Sequence, residues 1–170
     1  MTQEIPVYLF TGFLDAGKTK FIQETLEDVR FNNGESTLLL LCEEGEEEYD
    51  PSTFSGKNVF IETIEEQEEL TPSNLERLQK KHAVERVVIE YNGMWKLDKI
   101  FEIRVPKGWT VVQVISFVNA ETYDVYSQNM KATMVEQFNS ADMVIFNRCD
   151  ENSKIPEWRR SIKAVNRRAQ

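Results

Sequence analysis

The residues Gly12-Phe13-Leu14-Asp15-Ala16-Gly17-Lys18-Thr19 satisfy the pattern GxxxxGK[ST] and stand directly after the apolar run Ile5 to Phe10. Placement gives the pattern its force. Ile5, Val7, Tyr8, Leu9 and Phe10 read as a buried strand, and Phe21, Ile22, Leu26 and Val29 recur at helical spacing behind the motif. Strand, glycine-bearing loop and helix form the arrangement that wraps a polyphosphate. Backbone N–H groups and a helix N-terminus face the anion, a lysine adds charge, and a hydroxyl reaches the accompanying Mg²⁺. Gly12 and Gly17 supply permissive backbone, Lys18 the charge and Thr19 the hydroxyl. A plain strand-to-helix turn with incidental glycines is the rival reading, and the order of elements disfavours it.

The rest of the chain repeats the alternation. Thr37 to Leu41, Lys57 to Ile61, Arg86 to Glu90, Trp109 to Phe117 and Met143 to Phe146 read as strands. Helices are expected from Thr71-Pro72-Ser73 through Leu75 and Leu78, over Glu121 to Phe138, and from Pro156 onward. Strands that are apolar on both faces and alternate with helices call for a covered parallel sheet with ligands at the carboxyl ends of its strands. The expectation is a three-layer α/β P-loop NTPase fold, its central sheet mainly parallel and flanked by helices. At 170 residues the chain fits one domain.

Charge and cysteine usage narrow the function. A formal net charge of -9 argues against nucleic acid as a partner, because duplex phosphates would be repelled by most of the surface. The start Met1-Thr2-Gln3-Glu4 has no leader character, and no apolar run approaches the roughly 20 residues that span a bilayer. Cys42 and Cys149 build no disulfide framework. The protein is expected to be cytoplasmic, with no membrane partner.

Two further strand ends carry chemistry. Asn147-Arg148-Cys149-Asp150 has the Asn-x-x-Asp spacing of a guanine reader. One carboxylate, Asp150, can accept both N1–H and N2–H of guanine, while Asn147 can reach N7 and O6 or brace the loop. Arg148 stands where lysine is usual, and its stem can cover the base plane. A turn is the competing reading of this tetrapeptide. Ile89-Glu90-Tyr91-Asn92-Gly93 looks like a Walker-B-type strand end followed by a switch. Glu90 can hold Mg²⁺ through water or polarise an attacking water, and the Gly93 N–H can contact a γ-phosphate.

In order and spacing, GFLDAGKTK, CEEGEEEYD, EYNG and, after Ala141-Asp142, NRCD resemble the signatures of the CobW/UreG/HypB group of P-loop GTPases and metallochaperones, most closely its CobW-like branch. The resemblance covers almost the whole chain, down to a tail, Ala164 to Ala169, similar to the family's LNPxA. It implies a Mg²⁺-dependent GTPase with GTP/GDP bound along Gly12, Asp15, Ala16, Gly17, Lys18, Thr19, Lys20, Gly93, Asn147, Arg148 and Asp150. Thr19, Glu90 and Glu46 would serve Mg²⁺, and Lys18, Glu90 and Glu46 catalysis, with Gly45 and Glu46 in the first switch. It also implies a metal cargo such as Zn²⁺ or another divalent ion, a client metalloprotein and a nucleotide-dependent homodimer. Relatives usually continue into another strand and a C-terminal domain; the expectation is a single domain over 1–170 without it.

Departures from the family pattern are specific. Asp15 replaces a P-loop glycine and brings a carboxylate toward the phosphates, with Lys20 nearby as a possible counter-charge. The Cys-x-Cys-Cys that follows the first switch in the CobW-like branch is missing, the region reading Val59-Phe60-Ile61-Glu62-Thr63-Ile64. Soft thiolates select Zn²⁺ or Cu⁺, so that site is lost. Cys42, with Glu43, Glu44 and Glu46, is an alternative divalent site; the competing reading makes it a small residue at a strand end among solvated charges. His82 reads as an exposed helix-end residue, and Met94 and Trp95 as either core or partner-facing. Two rival functions stay open: an ATP-using P-loop kinase, and a degenerate nucleotide-binding or partner-docking module without turnover.

Overall fold

Each apolar run becomes a strand, and all six strands join one sheet: β1 (Ile5–Gly12), β2 (Thr37–Leu41), β3 (Val59–Thr63), β4 (Arg86–Glu90), β5 (Trp109–Asn119) and β6 (Met143–Asn147). The computed structural model describes residues 3–170; Met1 and Thr2, half of the stretch read above for a leader, lie outside the described residues. The order is β3-β2-β4-β1-β5-β6 and every pairing is parallel, so the mainly parallel sheet expected is parallel throughout. From β1 the chain passes to β2, β3 and β4 on one side and to β5 and β6 on the other. That switch point opens a crevice beyond the carboxyl ends of β1, β4 and β5.

Helices cover both faces: α1 (Lys18–Glu27), α2 (Pro72–His82), α3 (Asp98–Glu102), α4 (Tyr123–Asn129), α5 (Lys131–Ser140) and α6 (Ile155–Val165). Three successive leucines of β2 show how the layers share the strand. Leu38 and Leu40 pack with Leu75 and Leu78 of α2 and Ile100 of α3, whereas Leu39 faces Ile22 and Leu26 of α1. All three are fully buried, which contributes about 2 kcal/mol each from apolar area removed from water. A third cluster joins Phe13 of the P-loop to Tyr123 of α4, Met134 and Phe138 of α5, and Trp158 and Ile162 of α6. No helix among the described residues is long and apolar enough to cross a membrane.

Some boundaries differ from those read in the sequence. The single helix over Glu121 to Phe138 is two, broken at Met130, whose φ of -127° and ψ of 34° leave the helical region without any glycine or proline to mark it. Val29 lies beyond the end of α1 and is exposed; the chain turns out at Asp28, and the buried Asn32 amide donates to the Leu26 carbonyl at 2.9 Å. The five-residue α3 is too short for its periodicity to register. Trp95 packs edge-on against Tyr91, while Met94 beside it is exposed.

His82 is also corrected. Its ring stacks on Phe60 with centroids 4.5 Å apart and reaches Glu62 Oε1 at 2.8 Å, and its side chain is 12% exposed. Hydrogen bonds from Lys81 and His82 hold the Glu62 carboxyl below its ordinary value. A carboxyl depressed on folding stabilises the protein above its unfolded value and loses that contribution as pH falls through the folded one. Glu62→Gln should therefore lower unfolding free energy by roughly 0.5–1 kcal/mol at pH 7. Urea unfolding should show the gap between the two proteins closing in acid; a gap that widens there would refute this origin.

Candidate nucleotide-binding site

The loop between β1 and α1 turns at two glycines in the left-handed half of the map, Gly12 at φ 131° and Gly17 at φ 100°. Gly17 also has no room for a side chain, since a Cβ there would run into the Asn147 amide. Lys18 opens α1, whose first turn holds no acidic residue, so the positive end of the helix dipole faces the loop without an acidic side chain from that turn. The Lys18 side chain is 3% exposed. Its ammonium donates to the Gly12 carbonyl at 2.5 Å and to the Tyr91 carbonyl at 3.1 Å, and it pairs with Glu43 Oε2.

Thr19 and Glu90 meet where α1 begins and β4 ends. The Thr19 hydroxyl donates to Glu90 Oε1 at 2.7 Å, and the Tyr49 hydroxyl donates to Glu90 Oε2 at 2.5 Å. Burial raises the Glu90 carboxyl above its ordinary range, while the hydrogen bonds from Tyr49 and Thr19 and the charge of Lys18 pull it back. A hydroxyl and a carboxylate side by side are the hard oxygen donors that suit Mg²⁺. Past Glu90, Gly93 lies against the backbone of Gly12 and Phe13, and its N–H donates to Glu43 Oε2 at 3.3 Å. Helix α5 holds this segment: the Gln137 amide donates to the Gly93 carbonyl at 3.2 Å, and Glu136 Oε1 accepts from the Leu97 N–H at 3.0 Å.

At the end of β6, Asn147 braces the P-loop, its amide donating to the Ala16 carbonyl at 3.4 Å. Arg148 follows at φ 59°. Asp150 is exposed, with Oδ1 accepting from the Asn152 N–H at 2.8 Å in a tight turn. Three clefts meet at Arg148. One of about 160 Å³ runs over Asp15, Gly17, Lys18, Thr19, Glu46 and Glu90; another of about 320 Å³ follows Lys20, Phe21 and Glu24; a third of about 210 Å³ lies over Asp150, Glu121 and Trp158. The residues read from the sequence as phosphate, metal and base contacts thus share one end of the sheet.

The remaining candidates fall as follows. Asp15 is exposed at φ 60°, a conformation that favours the glycine of the family pattern, and its carboxylate faces Gly45 of the β2–β3 connection. No ion pair joins it to Lys20 among the described residues. Ala16 is buried beneath the loop, and Glu46 is exposed at the cleft mouth. Cys42 is 2% exposed within the core, and burial pushes its thiol up to about 12, away from the thiolate that binds metal. No group of three His, Cys, Asp or Glu side chains among the described residues is positioned to hold a metal ion. Tyr49, Glu136 and Gln137 are not singled out by any motif, and Glu43, read either as a divalent-ion ligand beside Cys42 or as a solvated charge, has a side chain only 7% exposed that pairs with Lys18. Gln137 left the one usable trace, a polar residue between the inward-facing Met134 and Phe138.

Residues 6–170 match the model of the CobW/HypB/UreG nucleotide-binding domain. The chain belongs to this family. Solved structures agree on the fold. A Zn(II)-bound YjiA GTPase from E. coli is 22% identical with a TM-score of 0.69, and the match covers 99% of this chain and 57% of that one. A Zn(II)-bound triple mutant of YjiA GTPase gives 21% and 0.70 over the same shares. The hydrogenase maturation factor HypB from Archaeoglobus fulgidus gives 19% and 0.64, covering 98% of this chain and 79% of that one. Comparison with curated protein sequences gives no match. The chain thus spans little more than half the length of the YjiA structures, and what the likeness to them shows is a shared fold.

Proposed function

We propose that this CobW/HypB/UreG domain binds GTP and GDP with Mg²⁺ and hydrolyses GTP. One observation carries the reading: the buried Lys18 and the Thr19–Glu90 pair share an end of the sheet with Asn147 and Asp150, and the clefts over them meet at Arg148. In this assignment Lys18 and the loop N–H groups from Gly12 to Thr19 bind the phosphates, and Asp150 accepts the guanine donors beneath the Arg148 stem. Thr19 and Glu90 hold Mg²⁺, which supplies charge neutralisation of the phosphates when bound. Glu46, at the cleft mouth, orients water toward the terminal phosphate.

Calorimetric titration with GTP, GDP and ATP, each with and without Mg²⁺, tests site, base and metal together; equal affinity for ATP would end the guanine assignment. Asp150→Ala should weaken GTP binding by about 2 kcal/mol through unpaired guanine donors and leave ATP binding nearly unchanged. Unchanged GTP affinity would remove Asp150 from the base site. A second reading, nucleotide binding without turnover, is favoured by the five carboxylates of Asp15, Glu43, Glu46, Glu47 and Glu90 lining the phosphate cleft. Phosphate release no faster than that of a Lys18 variant would decide for it. Delivery of a metal to a client protein, and a homodimer formed with nucleotide, extend the proposal from family membership; with no cysteine in β3, any cargo site would use ligands other than the Cys-x-Cys-Cys triplet.

A further inference from the structure

The close approach of the P-loop backbone requires glycine at position 93, and glycine leaves the chain there with the widest freedom any residue allows. The peptide group joining Gly93 to Met94 is nevertheless held at both of its polar atoms. Its carbonyl accepts from the Gln137 side-chain amide at 3.2 Å, and its N–H donates to Asn92 Oδ1 at 2.9 Å. The N–H of Gly93 itself faces the phosphate cleft, toward Glu43 Oε2. Asn92 belongs to the same segment, but Gln137 comes from a different layer of the fold. It stands on α5 between Met134 and Phe138, both buried in the third cluster, and is 5% exposed. A buried amide costs free energy unless it is hydrogen-bonded, so methionine or leucine would serve better if packing were the only task of this position. Beside it, Glu136 Oε1 accepts from the N–H groups of Leu97 and Asp98 at 3.0 and 3.4 Å, giving α3 the cap that the side chain of Leu97 does not provide. Two successive residues of α5 thus grip the two ends of the segment from Gly93 to Asp98.

We infer that Gln137 is a positioning residue for the terminal phosphate: from α5 it fixes the Gly93–Met94 peptide, and with it the direction of the Gly93 N–H. The inference rests on the guanine-nucleotide reading, in which that N–H meets the γ-phosphate. Gly93 has no side chain whose packing could set its dihedral angles, so the two hydrogen bonds to its carbonyl and to the following N–H do so instead. A donor aimed in advance adds affinity because less ordering is left to be done on binding. Only a nucleotide with a third phosphate reaches this donor. Gln137 therefore contributes to binding of the triphosphate and little to that of the diphosphate.

The test uses wild-type protein, Gln137→Met, which nearly conserves volume and cannot donate, and Glu136→Ala, which frees the α3 end alone. Calorimetry with Mg²⁺ compares GDP with a non-hydrolysable GTP analogue. Gln137→Met should weaken binding of the analogue about tenfold and of GDP by no more than about twofold. In Glu136→Ala the ratio of the two affinities should stay within about twofold of wild type. Amide exchange on the nucleotide-free proteins supplies a readout independent of affinity: Gly93 and Met94 should exchange faster in Gln137→Met, with α5 protected as in wild type. Unchanged analogue affinity, equal weakening of both nucleotides, or the same change of ratio in Glu136→Ala would overturn the positioning role, the last two because general loosening of the fold produces them. Unaltered exchange at Gly93 and Met94 would overturn it as well, by showing that Gln137 does not hold the peptide. Wild-type protein that bound neither nucleotide would instead overturn the guanine reading and the role with it.

Discussion

Lys18→Ala is expected to abolish nucleotide binding and also to lower the stability of the nucleotide-free protein by about 3 kcal/mol. The second effect is unusual for a residue assigned to a ligand. It follows from burial: the Lys18 and Glu43 side chains are 3% and 7% exposed, and the ammonium is the only cation paired with that carboxylate among the described residues. Removing one member of a buried pair leaves the other charged in a low-dielectric cleft, where the Gly93 N–H alone offsets little of the desolvation cost. Adding Glu43→Gln to Lys18→Ala should restore most of the lost stability without restoring binding. Urea unfolding of the three proteins checks the first statement and calorimetry the second. If Lys18→Ala were as stable as wild type, the buried pair would not be holding the β2–β3 connection. The double variant is also the better control for phosphate release, because it lacks the lysine without the stability defect.

Gly93→Ala should cost roughly 2–3 kcal/mol in stability and lower nucleotide affinity on the order of a hundredfold. A Cβ at this position would stand 2.7 Å from Phe13 Cα and 2.9 Å from the Gly12 carbonyl carbon, and closer still to the Gly12 oxygen. All of these are backbone atoms, so no rotamer change relieves the overlap. The P-loop and the segment after β4 must separate. Separation moves the Gly93 N–H and also lengthens the contacts of Lys18 with the Gly12 and Tyr91 carbonyls, disturbing two phosphate donors at once. Thermal unfolding and GTP titration report the two effects separately. Wild-type affinity in a folded Gly93→Ala protein would show that the close approach has no part in binding.

The sheet was legible because apolar runs of about five residues bounded by turn signals have few other uses in a chain of this length. β2 and β4 fall on the residues read for them, since Leu38 to Leu40 and Val87 to Ile89 must be covered on both faces. The break at Met130 was not legible, because tertiary packing of α4 and α5 on different neighbours decides it rather than any local breaker. The site divides similarly. Lys18 and Thr19 open the helix that follows β1, Glu90 and Asn147 end β4 and β6, and Asp150 lies just past β6, places where sequence order carries spatial meaning. Glu43 and Tyr49 lie in a run of similar acidic residues, and only the folded path of the connection turns these two inward while Glu44, Glu46, Glu47 and Glu48 stay in water. Spacing along the chain holds no information about that choice. Asn147 has two readings in the sequence, a guanine contact and a brace of the loop, and in the fold its amide donates to the Ala16 carbonyl.

That contact carries a thermodynamic consequence. Asn147 ties the end of β6 to the P-loop at Ala16, and the missing side chain at Gly17 lets the Asn147 amide lie against the P-loop backbone. A ligand that engages either end of the cleft therefore immobilises the other, so the entropy of ordering is spent once for the whole nucleotide rather than once for each half. Guanosine and pyrophosphate offered as separate molecules should forgo that sharing, and the intact nucleotide is expected to bind more tightly than its two fragments combined.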